Sequence, residues 1–379
     1  MRSAVLVAPA PLDARTGGYI YDRRMIEGLA ARGWAASALA LDPSFPSPTP
    51  AALAHAAGTL AAIPSGTIVL IDSLALGAMP DEVAREASRL RLVALVHLPL
   101  AAAVGLAPSA AARLEQSERR ALHAVSLVIV TGRAALPLLA PYDLPTDRII
   151  VIEPGTDRPD TARLKPGTTY GLSRLGGPAR AGHDGPNQYV VPGFSRALEL
   201  LCVATLNAGK GHEALLAALA SIPHTYWRLT CAGSLTRDPA TVGQVRAAIA
   251  RRGWQDRVTL AGDLDDEALE VCYARADLFV LATRRETYGM AVAEALAFGL
   301  PVVATWTGAI PDLVGEDAGL LVPVDDEAAL ADALTRAIGD ADLRASLTEG
   351  ARRRRNRLPT WDEAVDRMAA VLEPLVTHG

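Results

Sequence analysis

Glu286 and Glu294 stand eight residues apart in RRETYGMAVAEALAFGL, and the residues around Glu294 are small and apolar. A carboxylate in such surroundings is costly to desolvate unless a partner offsets the loss, so both acids need an explanation. The longer stretch LFVLATRRETYGMAVAEALAFGL reads as strand, loop and helix. The helix is expected to begin near Tyr288–Gly289, because Met290, Val292, Ala295 and Leu296 then follow helical spacing. Its first-turn amides, from Tyr288 to Ala291, would lack partners inside the helix and form an anion site. Gly289 would let a phosphate approach that backbone closely. Glu286 precedes the helix and Glu294 lies one to two turns inside it, so a ligand along this crevice could meet acid, amide nest and acid. That layout suits a nucleoside diphosphate sugar. The spacing is met equally by a surface loop whose acid favours the helix dipole, with Glu294 solvated.

A second candidate lies in LLCVATLNAGKGHEALLAAL. A strand ends at Ala204, a turn carries Asn207, Gly209, Lys210 and Gly211, and a helix follows. Only two of the 37 basic residues are lysine, Lys165 and Lys210. A cation at a helix N-terminus is locally unfavourable unless an anion joins it, which points Lys210 towards a phosphate; an ordinary surface lysine is the alternative. The glycine spacing and the Lys-Ser/Thr pair of a Walker loop are absent. Near the start, APLDARTGGYIYDRRMIEGL places Gly17 and Gly18 in another anion-friendly strand-to-helix turn, without the Gly-x-Gly-x-x-Gly dinucleotide fingerprint. His97 ends a strand in LVALVHLPL, where parallel sheets present ligands, although a structural histidine fits there too. No serine-hydrolase elbow, zinc-protease motif or paired Cys-x-x-Cys occurs, so those chemistries lack support.

The elements that must hold these residues repeat a strand-and-helix alternation, the pattern of parallel α/β units. Strands are expected at 4–7, 35–41, 67–71, 92–97, 127–131 and 149–152, then at 199–204, 227–232, 257–261, 278–281, 301–305 and 320–322. Helices are expected over 21–32, 213–219, 241–252, 267–274 and 290–298, with two more flanking Pro359 at the end. Periodicity fails between the halves, where Gly, Pro, Ser and Thr dominate. At 379 residues the chain exceeds one ordinary core. The divisions are an N-terminal Rossmann-like domain over 1–160, a linker over 161–196 and a C-terminal Rossmann-like domain over 197–358.

Composition narrows the partners. The formal charge of −5 argues against a nucleic acid held by bulk charge. Cys202, Cys231 and Cys272 are far apart in sequence, each inside an apolar run, and read as buried reduced thiols of a cytoplasmic protein. The opening MRSAVLVAP is Pro-interrupted and fits a first strand better than a signal peptide. The run LVALVHLPLAAAVGLA is broken by His97 and prolines and does not read as a membrane span. The arginines at 352–355 and 357 read as the solvated face of a late helix, a weak membrane-surface contact being the alternative. The acids of GDLDDEALE read as the N-terminus of a helix.

Taken together, these segments resemble a GT-B retaining glycosyltransferase of family 4, the glycosyl transferases of group 1. The resemblance covers nearly the whole chain and is strongest over 199–323. It rests on the Glu–seven residues–Glu spacing of Glu286 and Glu294, on AEALAFGLPVVAT and TGAIPDLVGEDAGLLV, on ATLNAGKGHEALL, on RVTLAGDLDDEALEVCYARADLFVLAT, and on TGGYIYDRRMIEGLAARGW. It implies two Rossmann-like domains facing across a cleft, acceptor side first and donor side second, with the C-terminal segment 359–379 crossing back onto the first. It further implies that Glu286 binds hydroxyls of the donor sugar, Glu294 the ribose, and Lys210 with the Gly289 and Met290 amides the diphosphate. Gly17 and Gly18 would line the phosphate side, and His97 would approach the sugar. Thr205 stands where the family commonly has an arginine, Thr287 where glycine is frequent, and Asp312 where glutamate is usual. The expected reaction is hexose transfer from a UDP- or GDP-sugar to a small soluble acceptor, with retention and without a metal or other cofactor. A nucleotide-sugar epimerase and a non-catalytic sugar-nucleotide-binding subunit are the alternatives.

Overall fold

The structure, a computed structural model, describes residues 2–159 and 196–376. The expected linker over 161–196 therefore lies, apart from Arg196, outside the described residues. The chain divides into two compact units. One comprises Met1–Thr156, Glu286–Met290 and Pro359–Gly379, and the other Asp157–Arg285 and Ala291–Leu358.

The first unit carries strands β1 (Ser3–Pro9), β2 (Ala35–Leu41), β3 (Ile68–Asp72), β4 (Arg91–Val96), β5 (Leu127–Val130) and β6 (Ile149–Val151). Between them run helices α1 (Gly17–Ala31), α2 (Pro50–Ala61), α3 (Ser73–Leu76), α4 (Pro80–Glu86), α5 (Pro108–Ala124) and α6 (Leu136–Leu139). The sheet is parallel, in the order β2-β1-β3-β4-β5-β6. Helices cover both faces of such a sheet, which is why its strands are unbroken apolar runs. Every residue of β3 and β5 is buried.

The second unit carries β7 (Leu198–Val203), β8 (Trp227–Ala232), β9 (Val258–Gly262), β10 (Leu278–Leu281), β11 (Val302–Thr305) and β12 (Gly319–Val322). Its helices are α7 (His212–Ser221), α8 (Pro239–Arg251), α9 (Asp266–Arg275), α10 (Met290–Ala297), α11 (Ile310–Val314), α12 (Glu327–Gly339) and α13 (Ala341–Arg355). The strand order is β12-β11-β10-β7-β8-β9, again parallel. The first strand of this unit, β7, therefore lies beside its fourth, β10, as in the doubly wound dinucleotide-binding sheet. Connections leaving β7 and β10 depart to opposite sides, and the crevice for a ligand opens between their carboxyl ends. In the first sheet the corresponding switch lies between β1 and β3.

The last helix, α14 (Trp361–Leu372), begins with a capping box between Thr360 and Glu363. It packs against α1, burying Ala364, Val365, Met368 and Leu372 in one cluster with Tyr21, Met25 and Leu29. Gly28 permits this approach, since a Cβ there would come within 2.4 Å of the Val365 side chain. Arg32 closes the rim with ion pairs to Asp362 and Asp366.

Cys202 and Cys231, distant in sequence, are register partners on β7 and β8. All three cysteines are free; Cys202 and Cys231 are buried and Cys272 is half-buried. The acids at Asp265–Glu267 do begin a helix, α9, whose N-cap Asp265 accepts from the Ala268 amide. In the arginine run, Arg353 pairs with Asp317 at 2.8 Å and Arg352 with Glu349 at 2.5 Å. Among the described residues no helix is long and apolar enough to cross a membrane.

One buried acid ties the β4–α5 connection to the core. Glu118, fully buried on α5, accepts from the Leu100 amide at 2.9 Å and from the Tyr142 hydroxyl at 2.6 Å. Burial outweighs these bonds and pushes Glu118 up to about 7. An acid raised in the folded state binds its proton more tightly there than in the unfolded chain, so its contribution falls as pH rises from about 4.5 to about 7. The loss amounts to about 3 kcal/mol. Urea unfolding of Glu118→Gln is expected to show a flatter pH dependence across that window than the unsubstituted protein.

Candidate functional site

In the second unit, the turn leaving β7 is built around Lys210. The Asn207 side chain accepts from the Gly209 amide at 3.0 Å and starts a single 3-10 turn over Ala208–Lys210. Gly211 follows at φ +68°, in the left-handed region, and serves as the N-cap of α7. A Cβ at Gly211 would lie 1.9 Å from the Ala282 carbonyl oxygen, so only glycine lets this turn rest against the end of β10. Two bonds stitch the same junction. The Gly209 carbonyl accepts from the Arg284 amide at 2.8 Å and from Thr283 Oγ1 at 3.2 Å. Thr283 is fully buried, and Thr305 Oγ1 at the end of β11 donates to its carbonyl. Three strand ends are thus locked together beneath Lys210, which is half-buried. Thr205 is half-buried just beyond β7, with its carbonyl accepting from the Asn207 amide.

The segment after β10 departs from expectation in one respect. Helix α10 begins at Met290, not at Tyr288–Gly289, because Gly289 adopts φ +97° and cannot belong to a right-handed helix. The Tyr288 ring is buried, and burial pushes its phenol pKa up, so the hydroxyl keeps its proton. Gly289 is buried, while Glu286, Thr287 and Met290 are half-buried. Glu294, the fifth residue of α10, accepts a 2.7 Å bond from the Tyr273 hydroxyl. Tyr273 is itself fixed by stacking on Phe298 and Phe279. The carboxylate that looked isolated among alanines is therefore oriented by a tyrosine donated from α9.

In the first unit, α1 begins at Gly17, four residues before the expected start at Tyr21. Gly17 and Gly18 form its first turn, and the N-cap Thr16 makes no side-chain capping bond. Gly18 lies against His97: a Cβ there would be 3.0 Å from the imidazole Cδ2. His97, just past β4, turns Nε2 towards two buried acids. Asp22 Oδ1 on α1 lies 3.0 Å away and Asp72 Oδ2 at the end of β3 lies 3.5 Å away. Burial opposes a charged imidazole, but the two acids outweigh it and raise the His97 pKa above the ordinary histidine value. Burial first, and then the Asp22 charge, pushes Asp72 up to about 7. Among the described residues these three are the set with donor types and spacing that a cation could share, their ligand atoms all lying within 4.8 Å of one another.

Asp22 and Asp72 escaped the sequence reading, although both left a trace. Asp22 falls on the stripe of Met25, Ile26 and Leu29, the buried face of α1. Asp72 ends the otherwise apolar strand IVLID. An acid on a face that helical or strand period assigns to the core is the signal that could have found them.

Residues 193–354 match the family model of the glycosyl transferases group 1. The D-inositol 3-phosphate glycosyltransferase of Xylanimonas cellulosilytica is 31% identical over 276 residues, covering 72% of this chain and 62% of the relative. The enzyme of the same name from Jonesia denitrificans is 29% identical with the same two coverages. The chain thus spans somewhat less than two thirds of these relatives. Among solved structures, sucrose-phosphate synthase from Thermosynechococcus elongatus superposes with a TM-score of 0.77 at 22% identity, covering 99% of both chains. Anabaena HepE in complex with UDP-glucose gives 0.73 at 17% identity, covering 99% of this chain and all of that one. The fold they share with this chain is GT-B.

Proposed function

We propose that this chain, which belongs to the glycosyl transferases of group 1 through its residues 193–354, transfers a hexose from a nucleoside diphosphate sugar to a hydroxyl group of a small acceptor. The observation that carries this reading is the lock of the Lys210 turn onto the end of β10, at the switch point of a doubly wound sheet. That is where such sheets take a nucleotide, and the strand that ends there leads directly to Glu286. Lys210 and the amides around Met290 would face the diphosphate, Glu286 the sugar hydroxyls, and Glu294, oriented by Tyr273, the ribose. Gly17 and Gly18 would serve the phosphates and His97 the sugar.

Glu286 and Glu294 are assigned to donor hydroxyls, so neither is the nucleophile that a double-displacement route to retention needs. A front-face reaction accounts for retention instead. The bond from the anomeric carbon to the diphosphate breaks as the acceptor oxygen bonds to the same face. The acceptor proton passes to the departing diphosphate oxygen. The protein's part is positioning, plus stabilisation of charge on the leaving group by Lys210 and backbone amides. Those groups would make a resident metal unnecessary, and transfer is expected to persist in EDTA.

The relatives' name carries a small phosphorylated polyol, which supports a small acceptor here too. Thermal unfolding with UDP-, GDP- and ADP-sugars tests the donor side: saturation at a hundred times Kd adds about 2.7 kcal/mol of stability. One UDP- or GDP-sugar is expected to raise Tm, with product retaining the donor's anomeric configuration by NMR. A donor isomerised without any acceptor would mark an epimerase. Binding with neither transfer nor donor hydrolysis would mark a silent subunit.

A further inference from the structure

We propose that Asp22 is a positioning residue for His97: with Asp72 it holds the imidazole by Nε2, leaving Nδ1 as the edge that meets substrate. The proposal rests on the reading that His97 approaches the transferred sugar, and it adds which atom does so and what aims it.

The geometry restricts the ring on all sides but that of Nδ1. Nε2 sits 3.0 Å from Asp22 Oδ1 and 3.5 Å from Asp72 Oδ2, both on side chains at least 98% buried. Gly18 lies against the Cδ2 edge, where an added Cβ would already touch the ring. The Tyr21 ring meets the imidazole edge-on at 5.5 Å between centroids, and its hydroxyl is engaged with the Ile152 carbonyl at 3.0 Å. Among the described residues Nδ1 has no hydrogen-bond partner, and the side chain retains 19% exposure. The ring is therefore anchored at one nitrogen and available at the other.

The groups facing the imidazole are Asp22 and Tyr21 from α1 and Asp72 from β3. Asp72 is not free to swing away, because its Oδ1 accepts from the Leu74 amide at 2.6 Å and caps α3. Asp22 Oδ2 is buried with no hydrogen-bond partner, an arrangement that stability alone does not favour. A carboxylate beside Nε2 keeps a proton on that nitrogen in both states of the ring, so Nδ1 is the nitrogen whose proton comes and goes. The acids thus select the tautomer, the tilt and the donor edge, the part a carboxylate plays behind a working histidine.

The test combines nitrogen NMR with a double-mutant cycle. With 15N-labelled histidine in the full chain, His97 Nε2 is expected to stay protonated from pH 5 to pH 9 while Nδ1 titrates. A wild-type spectrum showing the Nδ1–H tautomer at high pH would overturn the proposal without any variant. Asp22→Asn is expected to move the Nδ1 titration down by at least one pH unit and to lower kcat at least tenfold, with donor KM within threefold. Asp22→Glu should recover part of the loss. In a His97→Ala background, Asp22→Asn should change kcat less than twofold, since its effect runs through the ring. An equal loss in that background would show a merely structural role and overturn the proposal. So would retention of a stoichiometric divalent ion by the dialysed protein that is lost in Asp22→Asn. If His97→Ala alone leaves transfer intact, the sugar-contacting role of His97 fails, and the spectrum still decides how the ring is held.

Discussion

Replacing Lys210 with alanine is expected to lower transfer at least tenfold, measured as kcat with saturating donor and EDTA present, and Glu286→Ala is expected to match it. The two losses have different causes. The lysine would stabilise charge that grows on the departing diphosphate, so its removal raises the barrier more than it weakens ground-state binding. A preorganised charge-stabilising group of this kind contributes about 3–4 kcal/mol in enzymes where one has been deleted, and tenfold is therefore the modest end of the expectation. The glutamate would orient the sugar, so its removal should lower kcat while leaving the affinity for free nucleoside diphosphate nearly unchanged. Calorimetry separates the two: Lys210→Ala weakens nucleoside diphosphate binding and Glu286→Ala does not. Full turnover in either variant would remove the switch-point site from consideration.

Gly211→Ala should be strongly destabilising. Its φ of +68° strains any residue with a Cβ, and the added carbon would lie 1.9 Å from the Ala282 carbonyl oxygen. Backbone strain at such a position costs about 1–3 kcal/mol. The overlap cannot be relieved by a side-chain rotation, because the opposing atom is backbone. A total of about 3 kcal/mol or more is expected in urea unfolding. The surviving folded fraction should also lose nucleotide affinity, since separating the turn from β10 breaks the Gly209 bonds to Thr283 and Arg284. Gly253→Ala is the control. It has a similar φ of +64° with nothing within 4 Å of the added carbon, so only the strain should appear.

Comparing the two glycines shows what the sequence could and could not reveal. All twelve strands of the described residues were legible, because parallel strands covered on both faces leave short apolar runs that few other structures produce. Helix starts were less so. The α1 start was misplaced because glycines in a first turn look like a loop, and the α10 start because Gly289 looks the same in a helix as in the left-handed turn before it. At the site, Glu286, Glu294 and Lys210 stood out by charge in apolar or lysine-poor surroundings. The partners that aim them did not. Tyr273 reaches Glu294 from another helix, and Asp22 and Asp72 reach His97 from two different elements, 75 and 25 residues before it along the chain. Such pairings are set by strand order, and strand order is not written in any local window.

The place of α14 along the chain also governs when the first unit can finish folding. The cluster around Tyr21, Met25 and Leu29 is closed by α14, which is synthesised only after the whole of the second unit. At roughly 5–20 residues per second, α14 leaves the ribosome some tens of seconds after β6. Throughout that interval α1 holds an apolar surface that α14 has yet to cover. The second unit, encoded between, can assemble in the meantime. A nascent chain halted before residue 361 should therefore attract chaperones through α1, and the emergence of α14 should be the event that frees it.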